Sequence, residues 1–75
     1  MKIAIYVNYA NNNFNKDFKV SNELLGRGHN VFLAVSDEQL LYFKGNCDIV
    51  CLGYSMAEFG DKYKLDIIDD IVDNV

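Results

Sequence analysis

The stretch Ile3–Val7, IAIYV in one-letter code, decides the fold of this chain. It is continuously apolar and rich in β-branched residues, as strands are when both faces of a parallel sheet are covered. Five of the next eight residues, Asn8–Asn15, are asparagines, and asparagine favours turns over regular structure. The sequence therefore predicts a buried first strand followed by a loop.

Two more strands are predicted further along the chain. Asn30–Val35 and Asp48–Leu52 are short apolar runs bounded by turn residues, which is typical of buried strands. Gly26 and Gly28 precede the second strand, and Gly53 follows the third, as expected of residues that separate regular elements.

Three helices are predicted between and after these strands. The first runs from Lys16 to about Leu25, and its apolar stripe consists of Phe14, Phe18, Ser21 and Leu25, flanked by Val20 and Leu24. The second begins at Ser36, whose capping box with Gln39 indicates a helix start, and it ends near Gly45. The last helix is predicted over Lys62–Asn74.

The alternation of strands and helices predicts an α/β fold with right-handed crossovers. We expect residues 1–75 to form a single Rossmann-like domain, a small three-stranded parallel sheet in the order 3-2-1 with flanking helices. In that order the first strand has no neighbour on one side. Ile3, Ile5 and Val7 are therefore the candidates for an edge that a second copy or another protein covers.

Composition and charge limit the function classes. The 75 residues carry a formal net charge of −4, which would repel nucleic acid and anionic membranes. No apolar run has the length of a signal peptide core or a membrane span, so a cytoplasmic location is expected. With a single histidine and no glycine-rich phosphate motif, neither a metal nor a cofactor is predicted.

The two cysteines are expected to stay reduced, with Cys51 in the core. On one extended strand, Cys47 and Cys51 would lie roughly 13 Å apart. A disulfide requires Cα atoms within about 7 Å of each other.

The stretch Leu24–Val35, LLGRGHNVFLAV, resembles the opening of the GT-B glycosyltransferases. Those enzymes often begin with a strand, a helix that ends in an Arg-Gly-His turn, and a second apolar strand. Met1–Ile5 and Asp48–Gly53 are similar to their first and third strands. The resemblance covers roughly residues 2–54 and implies the fold of their amino-terminal half.

The resemblance does not extend to an activity. GT-B enzymes bind the sugar nucleotide mainly through a second domain, which a chain of this length lacks, so a complete enzyme is not expected. Their loop after the first strand is commonly glycine-rich, whereas this chain has Asn8–Asn13. The Arg27-Gly28-His29 turn is interpreted mainly as a helix stop, with Gly28 in the left-handed region.

The asparagine loop is the first candidate site. Ligands of open α/β sheets bind at the carboxyl ends of the strands, and amide side chains suit sugars or polar protein surfaces. The alternative is that asparagines simply fill a loop. The candidate residues are Asn8, Tyr9, Asn11 and Asn12.

The last predicted helix is the second candidate site. At 100° per residue its isoleucines and valines share one face, and the opposite face carries Asp66, Asp69, Asp70 and Asp73. Like charges three and four residues apart destabilise a helix, so the acidic face carries a cost. Two readings stay open: a ridge that docks on a basic protein surface, or a solvated face that keeps the chain in solution.

These observations favour a small acidic binding protein that is not an enzyme and that modulates or inhibits a larger partner through its last helix. Small acidic domains that reuse part of an enzyme fold are typical of phage or mobile-element factors acting on host proteins. The alternative is a glycosyltransferase-related module that binds a sugar, nucleotide or acceptor at the asparagine loop. A homodimer through the first strand is compatible with either function.

Overall fold

A computed structural model describes all residues, 1–75, and its sheet confirms the predicted α/β class. Three parallel strands form the sheet: β1 (Lys2–Tyr6), β2 (Asn30–Ala34) and β3 (Ile49–Leu52). Helices α1 (Phe14–Gly26) and α2 (Asp37–Lys44) provide the two crossovers. None of the helices has the length and apolar character needed to cross a membrane.

The predicted strand order 3-2-1 is wrong. The sheet has the order β2-β1-β3, in which Ile3 is aligned with Val31 on one side and with Ile49 on the other. The physical reason is burial, because Ile3, Ala4 and Ile5 are completely inaccessible to solvent. β2 alternates exposed and partly buried residues. The strand that is apolar throughout takes the centre, where both of its edges and both of its faces are covered.

The central position of β1 also overturns the prediction that it forms a bare edge. Ile3, Ile5 and Val7 belong to one buried cluster and are at most 1% exposed. Both edges of β1 are hydrogen-bonded to neighbouring strands of the same chain. A second copy cannot pair with this strand without unfolding the sheet.

The two faces of the sheet bury separate apolar clusters, so the domain has three layers. One face packs against α1 and the carboxyl-terminal residues, in a cluster of Ile3, Ile5, Val7, Val20, Leu24, Cys51, Ile68 and Val72. The other face packs against α2 and the chain after β3, in a cluster of Tyr6, Ala34, Leu40, Leu52 and Met56. As predicted, Cys51 is buried, and both cysteines are free.

Helices α1 and α2 begin close to their predicted positions. The Ser36 hydroxyl accepts a hydrogen bond from the Gln39 N–H at 3.1 Å, as expected of a capping residue, and α2 ends before Gly45. The buried face of α1 consists of Asp17, Val20, Ser21 and Leu24, so it is shifted toward the flank of the predicted stripe. Phe18 and Leu25 are instead about half exposed, at 54% and 51%.

The predicted helix over Lys62–Asn74 is not continuous. A 3₁₀ helix, Tyr54–Phe59, follows β3, and three short pieces come after it: α3 (Gly60–Tyr63), α4 (Ile68–Ile71) and a 3₁₀ turn, Val72–Asn74. Lys64 interrupts them with a left-handed backbone at a φ of 55°. Beyond it, the Leu52 N–H donates to the Asp66 carbonyl at 2.9 Å, and Ile67 forms a parallel bridge with Leu52.

The interruption arises because two backbone arrangements compete for these residues. Pairing with the free edge of β3 requires an extended chain at Asp66 and Ile67, and this pairing replaces helical hydrogen bonds. Aspartate is a poor helix former, so little helix propensity is lost.

We predict that Lys64→Gly stabilises the fold by about 0.5–1 kcal/mol. The left-handed conformation costs a residue with a Cβ atom roughly 1–2 kcal/mol, and glycine avoids this cost at some expense of chain entropy. Lys62→Gly is the matched control, since Lys62 lies in right-handed α3 and its replacement should destabilise by about 1 kcal/mol. Urea unfolding followed by circular dichroism measures both, and equal losses would contradict the prediction.

Candidate functional site

A buried carboxylate closes the crevice at the carboxyl ends of β1 and β3. Asp17, in the first turn of α1, is completely inaccessible to solvent. Its Oδ1 accepts the N–H of Tyr54 at 2.5 Å, and its Oδ2 accepts the N–H of Ser55 at 3.1 Å. The Ser55 hydroxyl donates a third hydrogen bond to Oδ2. Three donors therefore compensate the loss of water around this charge.

The same network reaches the loop after β1. The N–H of Asn8 donates to Ser55 Oγ at 2.8 Å, so the serine connects the loop to the carboxylate. The Ser55 hydroxyl thus connects two loops. We call Asn8, Asp17, Gly53, Tyr54 and Ser55 the carboxylate clasp.

Gly53 is required by the clasp. Its N–H donates to the Tyr6 carbonyl at 2.8 Å, which continues the pairing of β3 with β1. A Cβ atom at this position would lie 2.5–2.6 Å from the Asp17 carboxyl group. The absence of a side chain lets the carboxylate approach two backbone N–H groups, the arrangement that anion-binding loops offer to a phosphate. In this protein an internal carboxylate takes that place.

Sequence reasoning missed Asp17, although the helical pattern contains a signal for it. Asp17 lies three residues before Val20, four before Ser21 and seven before Leu24, and it therefore shares their face of α1. A carboxylate on a buried helix face at the carboxyl edge of a sheet has to find donors there.

A cavity of about 290 Å³ lies beside Asn8 of the clasp, where β1 ends. Its lining is mainly aromatic and apolar, with Asn8 and Lys62 as polar members: Tyr6, Val7, Asn8, Tyr9, Val35, Met56, Phe59, Lys62 and Tyr63. The rings of Tyr6 and Tyr63 meet edge to face, with centroids 5.3 Å apart. The cavity therefore offers ring faces at the edge where open α/β sheets bind ligands.

Asp37 fixes the two tyrosines of this cavity. The hydroxyl groups of Tyr6 and Tyr63 both donate to Asp37 Oδ1 at 2.6 Å. These hydrogen bonds hold the pKa of the Asp37 carboxyl below its usual value. Burial, followed by the bond to Asp37, raises the pKa of Tyr6 above the ordinary tyrosine range. The two hydrogen bonds to one carboxylate oxygen hold both rings in one orientation.

The residues of the asparagine loop have two roles: some line this cavity, and others form turns. Asn8 and Tyr9 line the cavity, whereas Asn11 and Asn12 do not. The side chain of Asn8 accepts the N–H of Ala10 at 3.0 Å, and that of Asn11 accepts the N–H of Asn13 at 2.8 Å. The amide groups thus mostly build the loop itself, as asparagine does in turns.

The four predicted aspartates are all exposed, although they do not share one helix face. Asp66 precedes α4, Asp69 and Asp70 lie within it, and Asp73 lies in the 3₁₀ turn that follows. We call residues 66–73 the acidic segment.

Backbone contacts hold the acidic segment against the sheet. Besides the bridge between β3 and Ile67, the Arg27 guanidinium donates to the carbonyls of Val72 at 2.6 Å and Val75 at 3.0 Å. Arg27 forms its ion pair with Glu23 at 2.9 Å, and that pair is the only salt bridge in the chain. None of the four aspartates therefore forms a salt bridge within the chain.

One aromatic hydroxyl contacts the acidic segment. The Tyr54 hydroxyl donates to Asp69 Oδ1 at 2.9 Å. Partial burial, followed by this hydrogen bond, raises the pKa of Tyr54. Since Tyr54 also donates its N–H to Asp17, the carboxylate clasp and the acidic segment are connected through one residue.

The single histidine and the buried cysteine lie far from these places. His29 precedes β2, at the amino edge of the sheet, and its Nδ1 lies 3.3 Å from the amino-terminal nitrogen. Cys51 lies in the core, where burial raises the pKa of its thiol to about 12. No group of three or more histidine, cysteine, aspartate or glutamate side chains is arranged to hold a metal ion.

Comparison of the chain with models of protein families, with curated proteins and with solved structures found no match. The similarity of residues 2–54 to GT-B glycosyltransferases therefore stays a prediction from the sequence.

We predict that Gly53→Ala destabilises the protein by about 2–3 kcal/mol. The added methyl group would displace the Asp17 carboxylate and leave buried N–H groups without an acceptor. Gly26→Ala is the matched control, because no atom lies within 4 Å of its Cβ position. Chemical unfolding of both variants measures the difference, and similar stabilities would show that the clasp contributes little.

Proposed function

We propose that this protein is a cytoplasmic binding protein, not an enzyme, that recognises a basic surface on a larger protein through the acidic segment. One observation carries the proposal: four exposed carboxylates lie within eight residues, and none of them forms a salt bridge in the chain. Docking on such a surface would modulate or inhibit the partner.

The attachment of the acidic segment favours recognition over simple solvation. A flexible acidic tail would keep a domain in solution equally well. Here the backbone of the segment is fixed by β3 at one end and by Arg27 at the other. Charges held in fixed positions lose less entropy on binding and accelerate encounter with a surface of opposite charge.

The shape of the segment favours a protein over mimicry of a nucleic acid. A continuous helix would present its aspartates in a regular row, like phosphates on a strand. The break at Lys64 and the extended residues before α4 leave the carboxylates at irregular spacing. An irregular set of carboxylates suits individual lysines and arginines on a protein surface.

The placement of the reactive groups also supports binding over catalysis. His29 lies at the amino edge and Cys51 in the core, while the Asp17 carboxylate and the Ser55 hydroxyl are both buried in the clasp. Acid–base or nucleophilic catalysis requires such groups to reach a substrate as well as one another.

We predict that replacing Asp66, Asp69, Asp70 and Asp73 together by asparagine abolishes capture of the partner and leaves the fold intact. The measurement is affinity capture from native lysate, read by mass spectrometry. The captured protein is then purified and titrated calorimetrically at low and high salt. Wild-type binding should weaken steeply with salt, because exposed charges are screened.

The matched control changes four acidic residues elsewhere, Glu38, Asp48, Glu58 and Asp61, to their amides. Each variant removes four negative charges from a net charge of −4, so both are formally neutral. Equal binding by wild type and both variants, or equal loss in both variants, would refute a role for the acidic segment.

The aromatic cavity supports a second candidate, a module that binds a sugar or nucleotide. Its volume of about 290 Å³ is close to that of a small-ligand site. Ring faces of Tyr6, Tyr9 and Tyr63 suit a base or the apolar face of a sugar, and Lys62 suits a phosphate. The resemblance of the chain to glycosyltransferases points to the same ligands.

We predict that, in this second case, uridine diphosphate glucose shifts the amide resonances of Asn8, Tyr9 and Tyr63. Tyr9→Ala should weaken binding about tenfold or more, because stacking of a base on a ring contributes roughly 1–3 kcal/mol. Tyr42→Ala is the control, since Tyr42 has nearly the same exposure, 64% against 65%, and lies outside the cavity. No shift in this loop at millimolar ligand would eliminate the candidate.

A further inference from the structure

The two outer edges of the sheet differ in how far their backbone groups are covered. The edge of β3 is partly covered, because the Leu52 N–H donates to Asp66 and Ile67 bridges to the strand. β2 lies at the other end of the sheet, and no strand of the chain pairs with its outer edge.

The hydrogen-bonding groups on the outer edge of β2 can be assigned from its inner edge. The Asn30 N–H donates to the Met1 carbonyl, and the Ala34 carbonyl accepts the Val7 N–H. Because backbone groups alternate in direction along a strand, Asn30, Phe32 and Ala34 face β1. The N–H and C=O groups of Val31 and Leu33 therefore face outward, away from the sheet.

β2 also lacks the features that usually protect an edge. Proteins guard such strands with charges, prolines, bulges or a covering loop. The β2 sequence, NVFLA, contains no charge and no proline, and its register with β1 has no bulge. The neighbouring Val35 N–H is already taken by the Gln39 side chain at 2.8 Å, so the open stretch is short.

Apolar side chains border this edge on both faces of the sheet. Phe32 stacks on Phe43 of α2 at 5.5 Å between centroids, and Tyr42 beside them is 64% exposed. On the other face, Phe18 and Leu25 project from α1. They lie on the flank of α1 opposite to Arg27, which donates to the Val72 and Val75 carbonyls on the β3 side of the sheet. Four partly exposed side chains therefore border the outer edge of β2: Phe18, Leu25, Phe32 and Tyr42.

We propose that a second copy of this chain pairs with β2, edge to edge and antiparallel, about a two-fold axis at Phe32. In this register Val31 lies opposite Leu33 of the partner subunit, and the two residues exchange two hydrogen bonds. The symmetric pair of residues supplies two more. Phe32 then faces Phe32 of the partner subunit, and the dimer contains a continuous sheet of six strands.

Self-pairing fits this edge better than a strand of another protein. Outward groups at Val31 and Leu33 repeat symmetrically about Phe32, so the edge is complementary to itself under a two-fold rotation. The charge distribution allows the approach, since the four aspartates of the acidic segment lie at the β3 side of the sheet. Each dimer would carry an acidic segment at both far ends.

The area involved indicates a reversible dimer. The four bordering side chains expose roughly 400 Å² per copy, so pairing would bury on the order of 1,000 Å² with the backbone included, near the small end of specific interfaces. A dimer of this size dissociates on dilution and re-forms on concentration.

Sedimentation equilibrium between about 5 and 500 µM protein tests the proposal, because dimer formation follows protomer concentration. The weight-average mass of the wild type should rise from 8.6 kDa toward twice that value. Phe32→Lys places two like charges on the axis and should hold the mass at that of one chain. Leu41→Lys, at a 72% exposed position on α2 that lines neither of the cavities beside Phe43, should dimerise like wild type.

Amide hydrogen exchange identifies the edge that pairs. The amides of Val31 and Leu33 should exchange at least tenfold more slowly at the highest concentration than at the lowest, and Phe32→Lys should remove this difference. Circular dichroism checks that both lysine variants remain folded. A wild type that stays monomeric overturns the proposal, and so does a dimer in which the exchange of these two amides is independent of concentration.

Discussion

The carboxylate of Asp17 holds together three segments that come from different parts of the chain. It lies in the first turn of α1, accepts the N–H groups of Tyr54 and Ser55 beyond β3, and through Ser55 it connects to Asn8 after β1. A buried charge requires full hydrogen bonding, so losing one of these contacts would leave a costly unsatisfied group. The path of the chain at the carboxyl edge of the sheet depends on this one interaction.

The clasp also determines which surfaces are left for recognition. Open α/β sheets commonly bind ligands at the carboxyl ends of their strands, using free backbone N–H groups. Here the N–H groups after β3 are occupied by Asp17, and an aromatic cavity remains beside β1. Two further places lack a partner within the chain. The acidic segment at one edge of the sheet forms no salt bridge, and the outer edge of β2 pairs with no strand.

The acidic segment and the open edge of β2 lie at separate places on the domain. The acidic segment sits beside β3, whereas the uncharged strand β2 lies two strands away across β1. A dimer through β2 would present two acidic segments without bringing their charges together. Two sites on one rigid body raise the effective affinity for a partner that has repeated basic patches.

The sequence by itself determined the α/β class, the positions of the three strands, the capped start of α2 at Ser36 and the core position of Cys51, because these depend on local periodicity and apolar content. It also placed Asn8 and Tyr9 at the carboxyl edge. Only the tertiary structure decided that β1 is central, that Lys64 ends a helix so that Ile67 can pair with β3, and that Asp17 is buried. Each of these depends on partners distant in sequence, whose hydrogen bonds and burial outweigh local preference.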